Sequence, residues 1–245
     1  MNNMFQRLND YTLALVALCV LVLTMGLAGL NKGSGNSTTG ETEQDVINIG
    51  LADVGDIVIF GRYYQEFDKK TELEWIVLDK QGNELLLLSK KVINAIPYNR
   101  EFMETTWEKC RLRDWLNNAF FYEAFSEQEQ EIIPKKYIAP HKNPRYNTDP
   151  GYRTADRVFL LSVQEAEEYL PRQQERLSEQ TPYAIENGVW VNVDNEKSPW
   201  WLRTPGRSSF CAASIDYDGS VRYDGFGVDG IDVGVRPVVW VRLRK

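Results

Sequence analysis

Tyr11 to Leu30 is a run of twenty residues without a charge, bounded by Asp10 and Lys32. No other stretch limits the architecture of this chain so strongly. At 1.5 Å per residue a helix of that length crosses a hydrocarbon core of about 30 Å, so residues 11–30 read as a transmembrane helix after a short tail, 1–10. The run is long for the apolar region of a secretory signal, which favours an uncleaved anchor; cleavage after Ala28, in a small-residue setting, is the competing expectation. Bulky Leu18 before Cys19 does not suit a lipoprotein signal. Arg7 and Lys32 nearly cancel in the positive-inside comparison. The expectation is a single-pass cell-membrane protein with a cytoplasmic N-terminus and an extracytoplasmic C-terminal domain.

Residues 31–50 open with Asn-Lys-Gly-Ser-Gly-Asn-Ser-Thr-Thr-Gly and read as a flexible linker with a reach of roughly 25 Å. Residues 51–245 are enough for one domain with a substantial core. The net charge is −7 with both signs interspersed. No basic stripe marks a nucleic-acid partner. The cysteines are Cys19, Cys110 and Cys211, too few for a disulfide framework; Cys110 reads as buried and Cys211 as incidental. The one histidine, His141, stands in a Pro/Asn-rich stretch and reads as an exposed loop residue. A multi-histidine zinc site is excluded, and a Ser-His-Asp triad would have to use this residue.

Val54–Phe60 reads as a strand closed by Gly61-Arg62. Leu73–Asp79 and Leu85–Ser89 read as strands of a hairpin joined by the turn Lys80-Gln-Gly82-Asn83. The unbroken Leu85-Leu-Leu-Leu88 implies a strand covered on both faces. Capping boxes are expected at Thr105/Glu108, Ser126/Glu129 and Ser162/Glu165. Trp107, Cys110, Trp115, Leu116, Ala119 and Phe120 would follow the first of these on one helical face. Val158–Leu161 reads as a short buried strand, Trp200–Arg203 as a strand and Val238–Leu243 as the closing strand. Gly206 to Gly234, rich in Gly, Asp, Ser and Tyr, reads as a long irregular loop segment.

Several landmarks recur in one order: Val54-Gly-Asp-Ile57, Phe60-Gly-Arg62, Glu74-Trp-Ile-Val-Leu78, Thr106-Trp-Glu-Lys-Cys-Arg-Leu-Arg-Asp-Trp-Leu-Asn117, Asp156-Arg-Val-Phe-Leu-Leu-Ser162, Trp200-Trp-Leu-Arg-Thr-Pro-Gly206 and Gly234-Val-Arg-Pro237. Together they resemble the bacterial domain-of-unknown-function family 6273, from about residue 51 onward. The ending, with a Trp-Leu-Arg strand, an irregular segment and a Gly-Val-Arg-Pro strand, is similar to C-type-lectin-like domains of the formylglycine-generating-enzyme type. The resemblance implies an α+β, C-type-lectin-like fold of short, mostly antiparallel strands with two or three helices. It also implies kinship with the variable target proteins of diversity-generating retroelements, in which adenine-directed mutagenesis rewrites a C-terminal ligand-binding patch.

The residues offer a check on that implication. Randomising the adenines of AAC or AAT codons never produces Lys, Glu, Gln, Met or Trp. These types make up 53 of the 245 residues, so about six are expected among the 29 positions from Gly206 to Gly234, and none occurs. A solvated Gly/Asp/Ser loop would also be poor in Trp and Met. Ala212, Ala213, Ile215, Gly219, Val221, Gly225 and Val228 read as scaffold. The candidate variable, ligand-contacting positions between them are Arg207, Ser208, Ser209, Phe210, Asp216, Tyr217, Asp218, Arg222, Tyr223, Asp224, Phe226, Asp229, Ile231 and Asp232. Tyr and Phe among Asp and Ser have the chemistry of an antibody paratope. Five aspartates against two arginines disfavour a strongly anionic partner, leaving a protein or glycan as the expected ligand. These side chains are expected to be exposed and to stabilise the fold little.

Structural roles are expected for Trp107, Trp115, Trp200, Trp201, Arg203, Gly234, Arg236 and Pro237, with Arg236 holding an acid or backbone carbonyls. No metal or cofactor is implied: Asp216-Tyr-Asp218-Gly219 lacks the later carboxylates of a calcium loop. Formylglycine-generating enzymes hold copper with paired cysteines, and Cys211 stands alone in the C-terminal segment. A ligand-binding protein is therefore the leading reading. A non-variable envelope sensor or scaffold is the alternative, and an enzyme relative a more distant one.

Overall fold

Leu85, Leu86, Leu87 and Leu88 are each 2% exposed or less, so the unbroken apolar run lies where both sheet faces are covered. The computed structural model describes residues 49–243. The expected tail, membrane span and nearly all of the linker lie outside the described residues. Among the described residues no helix is long and apolar enough to cross a membrane.

The leucines belong to β3 (Glu84–Ser89), which pairs antiparallel with β2 (Lys69–Gln81) through the two-residue turn Gly82-Asn83. β1 (Ile57–Glu66) lies outside β2. On the other side of β3 lie β12 (Val238–Arg242) and then β7 (Val158–Phe159). The closing strand is thus central in this five-stranded sheet. A second five-stranded sheet contains β8 (Trp200–Pro205), β9 (Cys211–Ile215) and β10 (Val221–Gly227) as an antiparallel meander, with β10 at the edge. β11 (Gly234–Val235) runs parallel to β8 and pairs with β4 (Asn94–Ala95). β5 (Lys136–Ile138) and β6 (Thr154–Asp156) make a small separate pair. The helices are short, so the fold is α+β with mostly antiparallel strands.

The Gly-Val-Arg-Pro landmark has a topological reason: β11 belongs to one sheet and β12 to the other. Arg236, 1% exposed, sits at the crossing between them. Its Nε donates to the Ser89 carbonyl at 3.0 Å and its Nη2 to the Lys90 carbonyl at 3.3 Å, with the guanidinium 4.8 Å from the Trp200 ring. Burial lowers its pKa to about 9, leaving it charged at neutral pH. A Cβ at Gly234 would approach the Val92 side chain to 2.3 Å, so that position has room only for hydrogen.

Several expectations need correction. β1 does not close at Gly61. It runs on through a bulge there, with φ +72° and the glycine amide donating to Glu129 at 2.9 Å. A Cβ would meet the Ala124 carbonyl and Phe125 ring at 2.8 Å; glycine therefore marks a close approach rather than a strand end. Thr105 and Glu108 do not form a capping box. Helix α1 (Arg111–Trp115) starts later, with the Cys110 sulfur as its cap, while Glu108 accepts the Tyr152 amide. A π-helical turn, Leu116–Phe120, follows and leads into α2 (Phe121–Ala124). That change of pitch leaves Ala119 exposed and Trp115 half-buried, although Trp107, Cys110, Leu116 and Phe120 are core. The boxes at Ser126 and Ser162 are present, opening α3 (Glu127–Ile132) and α4 (Val163–Tyr169). The segment 206–234 is not irregular throughout, because β9 and β10 make a hairpin within it.

Candidate ligand-binding surface

The β9–β10 hairpin is built on small and apolar residues that let its backbone lie close to the core. Ala212, Ala213 and Ile215 are at most 2% exposed. Between the pairs Arg222↔Ser214 and Phe226↔Ala212 the register shifts. Gly225 has φ +76°, and a Cβ there would come within 2.3 Å of the Ala212 carbonyl oxygen. In the turn, Gly219 has φ +83°, and its Cβ would lie 2.2 Å from the Gln173 carbonyl oxygen. Glycine is required at both positions for conformation and for space.

Of the fourteen candidate positions none is buried. Arg207, Asp218, Asp224, Asp229, Ile231 and Asp232 are exposed, and the other eight are half-buried. Of the residues read as scaffold, Ala212, Ala213, Ile215, Gly219 and Val228 are buried, while Val221 and Gly225 are half-buried.

Two groups can be distinguished by their contacts. Asp216 accepts from Arg222 Nη2 at 2.6 Å and Nε at 3.1 Å. The Arg222 guanidinium lies 4.2 Å from the Phe226 ring, and Phe226 meets buried Trp201 edge-on at 6.3 Å. Tyr217 meets Trp190 edge-on at 5.1 Å, and Phe210 packs 5.2 Å from Phe102. Tyr223 turns the other way, as alternation along a strand requires. Its hydroxyl bonds to Glu167 on α4, and its ring lies 3.7 Å from the Arg145 guanidinium. Burial is the first cause of the upward shift in its pKa, followed by the Glu167 bond. Tyr223 and Phe226 pack against the core, so the expectation of slight stabilisation is too low for these two.

Sequence reasoning did not single out Phe102, Met103 or Trp190, which are 61%, 50% and 43% exposed. They add apolar area beside Phe210 and Tyr217. The local sequence does not set Trp190 apart, because it stands between Val189, which is buried, and Val191, which packs against the core. Asp224, Asp229 and Asp232 are exposed and have no basic partner among the described residues, so the surface carries uncompensated negative charge.

His141 departs from its expected place on an exposed loop. It is half-buried rather than exposed, and its Nδ1 lies 2.8 Å from Ser162 Oγ. Burial first, then the Arg203 charge, lower its pKa. The spacing matches a Ser-His pair, but Ser162 is 0% exposed and its hydroxyl accepts the Glu165 amide as a helix cap. A substrate has no route to that oxygen. The Cys110 thiol is pushed up to about 12, chiefly by burial, so it has no thiolate character at neutral pH. Cys110 and Cys211 are both free. No group of His, Cys, Asp and Glu suited to a metal ion occurs among the described residues.

The chain belongs to the family described as domain of unknown function DUF6273, which it matches over residues 82–243. The matched stretch contains the Trp-Leu-Arg and Gly-Val-Arg-Pro landmarks and the whole candidate surface; the landmarks at Val54–Arg62 and Glu74–Leu78 precede it. Comparison with curated proteins and with solved structures gave no match.

Proposed function

We propose that the β9–β10 hairpin and its flanking loops form the ligand-recognition surface of a membrane-anchored bacterial envelope protein. The observation that carries this reading is the division of the hairpin into a fixed and a free part. Glycines and small residues hold the backbone against the core, while none of the fourteen candidate side chains is buried. Such a scaffold tolerates changes of surface without loss of fold. This suits a C-type-lectin-like domain whose patch is diversified by a retroelement, and the absence of Lys, Glu, Gln, Met and Trp from 206–234 supports that reading. Aromatic anchors amid aspartates suit a protein or glycan ligand that is not strongly anionic. The run 11–30 would tether the domain in the cell membrane, with the surface facing outward.

Deep sequencing of the gene across a population tests the diversified patch. Differences should concentrate at the first two bases of the fourteen codons, where a near-copy of that stretch beside a reverse-transcriptase gene would carry adenine. Differences spread evenly along the gene would overturn it. The surface itself is tested by probing the full-length protein on a glycan array. Any glycan bound should be lost in a Phe210→Ser/Tyr217→Ser double variant, and retention of binding would place recognition elsewhere. Resistance to carbonate extraction checks the anchor.

A further inference from the structure

The landmark 106–117 lines a groove that plays no part in the proposed recognition surface. The groove has a volume of about 510 Å³ and lies between the stretch Glu108–Asn118, Tyr122, Lys135 and the residues Ala155 and Arg157 around β6. Its walls carry five cations, Lys109, Arg111, Arg113, Lys135 and Arg157, against two acids, Glu108 and Asp114. That excess is notable on a chain of net charge −7.

The ion pairs inside the groove leave two of these cations over. Arg113 is held by buried Asp156, at 2.6 and 2.7 Å. Glu108 faces Lys109 at 3.6 Å, and Asp114 faces Arg111 at 3.6 Å. Lys135 and Arg157 have no carboxylate within ion-pair distance among the described residues. Arg157 is fixed from behind: its guanidinium lies 5.2 Å from the Phe121 ring, and its backbone amide donates to Asn117 Oδ1 at 2.8 Å. Its Nε is buried and has no acceptor. Unsatisfied buried donors are uncommon and costly, and a guanidinium fork matches an oxyanion in shape and charge. Asn117 and Asn118 come from the π-helical turn, a distortion frequent at functional sites. The Cys110 thiol on the groove's wall is itself buried.

We propose that this groove is a second binding site, taking the oxyanion of a small molecule, a carboxylate or a phosphate, between Arg157 and Lys135. It is independent of the recognition surface, whose aspartates repel such groups.

Isothermal titration of the full-length protein with inorganic phosphate and, separately, with galacturonate tests the site. At least one probe should bind saturably; phosphate alone assigns a phosphoryl ligand and galacturonate alone a carboxylate. Arg157→Gln and Lys135→Gln should each weaken binding about tenfold, Arg157→Lys should weaken it less, and Arg207→Gln on the other surface should leave it unchanged. Lys135 is exposed, so its variant reports on the site even if Arg157→Gln lowers the melting temperature. Absence of saturable heat with both probes, or binding that survives Lys135→Gln unchanged, would overturn the proposal.

Discussion

Glu165 and Arg203 hold each other at two points. Arg203 Nη2 donates to Glu165 Oε1 at 2.6 Å and Nη1 to Oε2, while the same Oε2 accepts the Ser162 amide at 2.9 Å. The carboxylate that completes the capping box of α4 therefore also ties that helix to β8. Arg203 is 3% exposed and donates as well to the Leu160 carbonyl at 2.8 Å.

Removing the cation leaves a largely buried carboxylate without its partner. Arg203→Ala should therefore lower stability by about 3–5 kcal/mol, the scale for breaking a buried pair from one side. Glu165→Gln keeps the cap acceptor and should cost less. Urea unfolding of the two variants, compared at equal slope, measures the difference. Equal, small losses would show that the pair is not coupled to the helix cap.

The same cluster sets the response to acid. Burial alone would raise the Glu165 carboxyl, but the Arg203 hydrogen bonds and charge outweigh it and hold the group below the ordinary value of 4.5. His141 is lowered from 6.5 by burial and by Arg203, against weaker opposing contributions from Glu165 and Glu168. For both groups the unfolded chain binds the proton more readily. Their stabilisation is complete above the ordinary values and is lost as pH falls through the folded ones. Melting temperature should be level above pH 6.5, decline below it as His141 is driven to charge, and fall further below 4.5. His141→Asn should flatten the first decline and leave the second. A variant that still shows the first decline would assign it to another group.

Those relationships differ in how visible they were from residues alone. The boxes at Ser126 and Ser162 were legible because a cap is a local device, two side chains three positions apart. The hairpin at Gly82-Asn83 and the doubly covered leucines were legible for the same reason. Thr105/Glu108 has the same spacing, yet Glu108 bonds the Tyr152 amide 44 residues away, and no local pattern carries that. His141 reads as an exposed loop residue from its neighbours alone because its partner, Ser162, comes from a distant element. The strands within 206–234 were hidden by their composition: in β10, Val221 and Phe226 are set among Arg, Asp and Gly, and the register shift between Arg222 and Phe226 breaks any apolar alternation. Trp190 and Phe102 join the candidate surface only through contacts that the folded chain creates.

Adjacent positions on β10 give the sharpest separation of scaffold from surface. Asp224 is exposed and Gly225 is not free to change, though they are neighbours. An alanine at 225 would need φ near +76° and would place its Cβ 2.3 Å from the Ala212 carbonyl oxygen, a backbone atom that cannot rotate away. A non-glycine residue in that region costs of order 1–3 kcal/mol before any clash, and the clash must be relieved by parting β10 from β9. Asp224→Ala removes an exposed side chain and should fall within about 0.5 kcal/mol of the parent. The expected outcome is a melting temperature several degrees lower for Gly225→Ala and nearly unchanged for Asp224→Ala. Gly225→Ala should also increase amide hydrogen exchange at Arg222–Phe226, where the edge strand would loosen. If Gly225→Ala melts like the parent, the hairpin backbone is not the fixed support that a changeable surface at 207–232 requires.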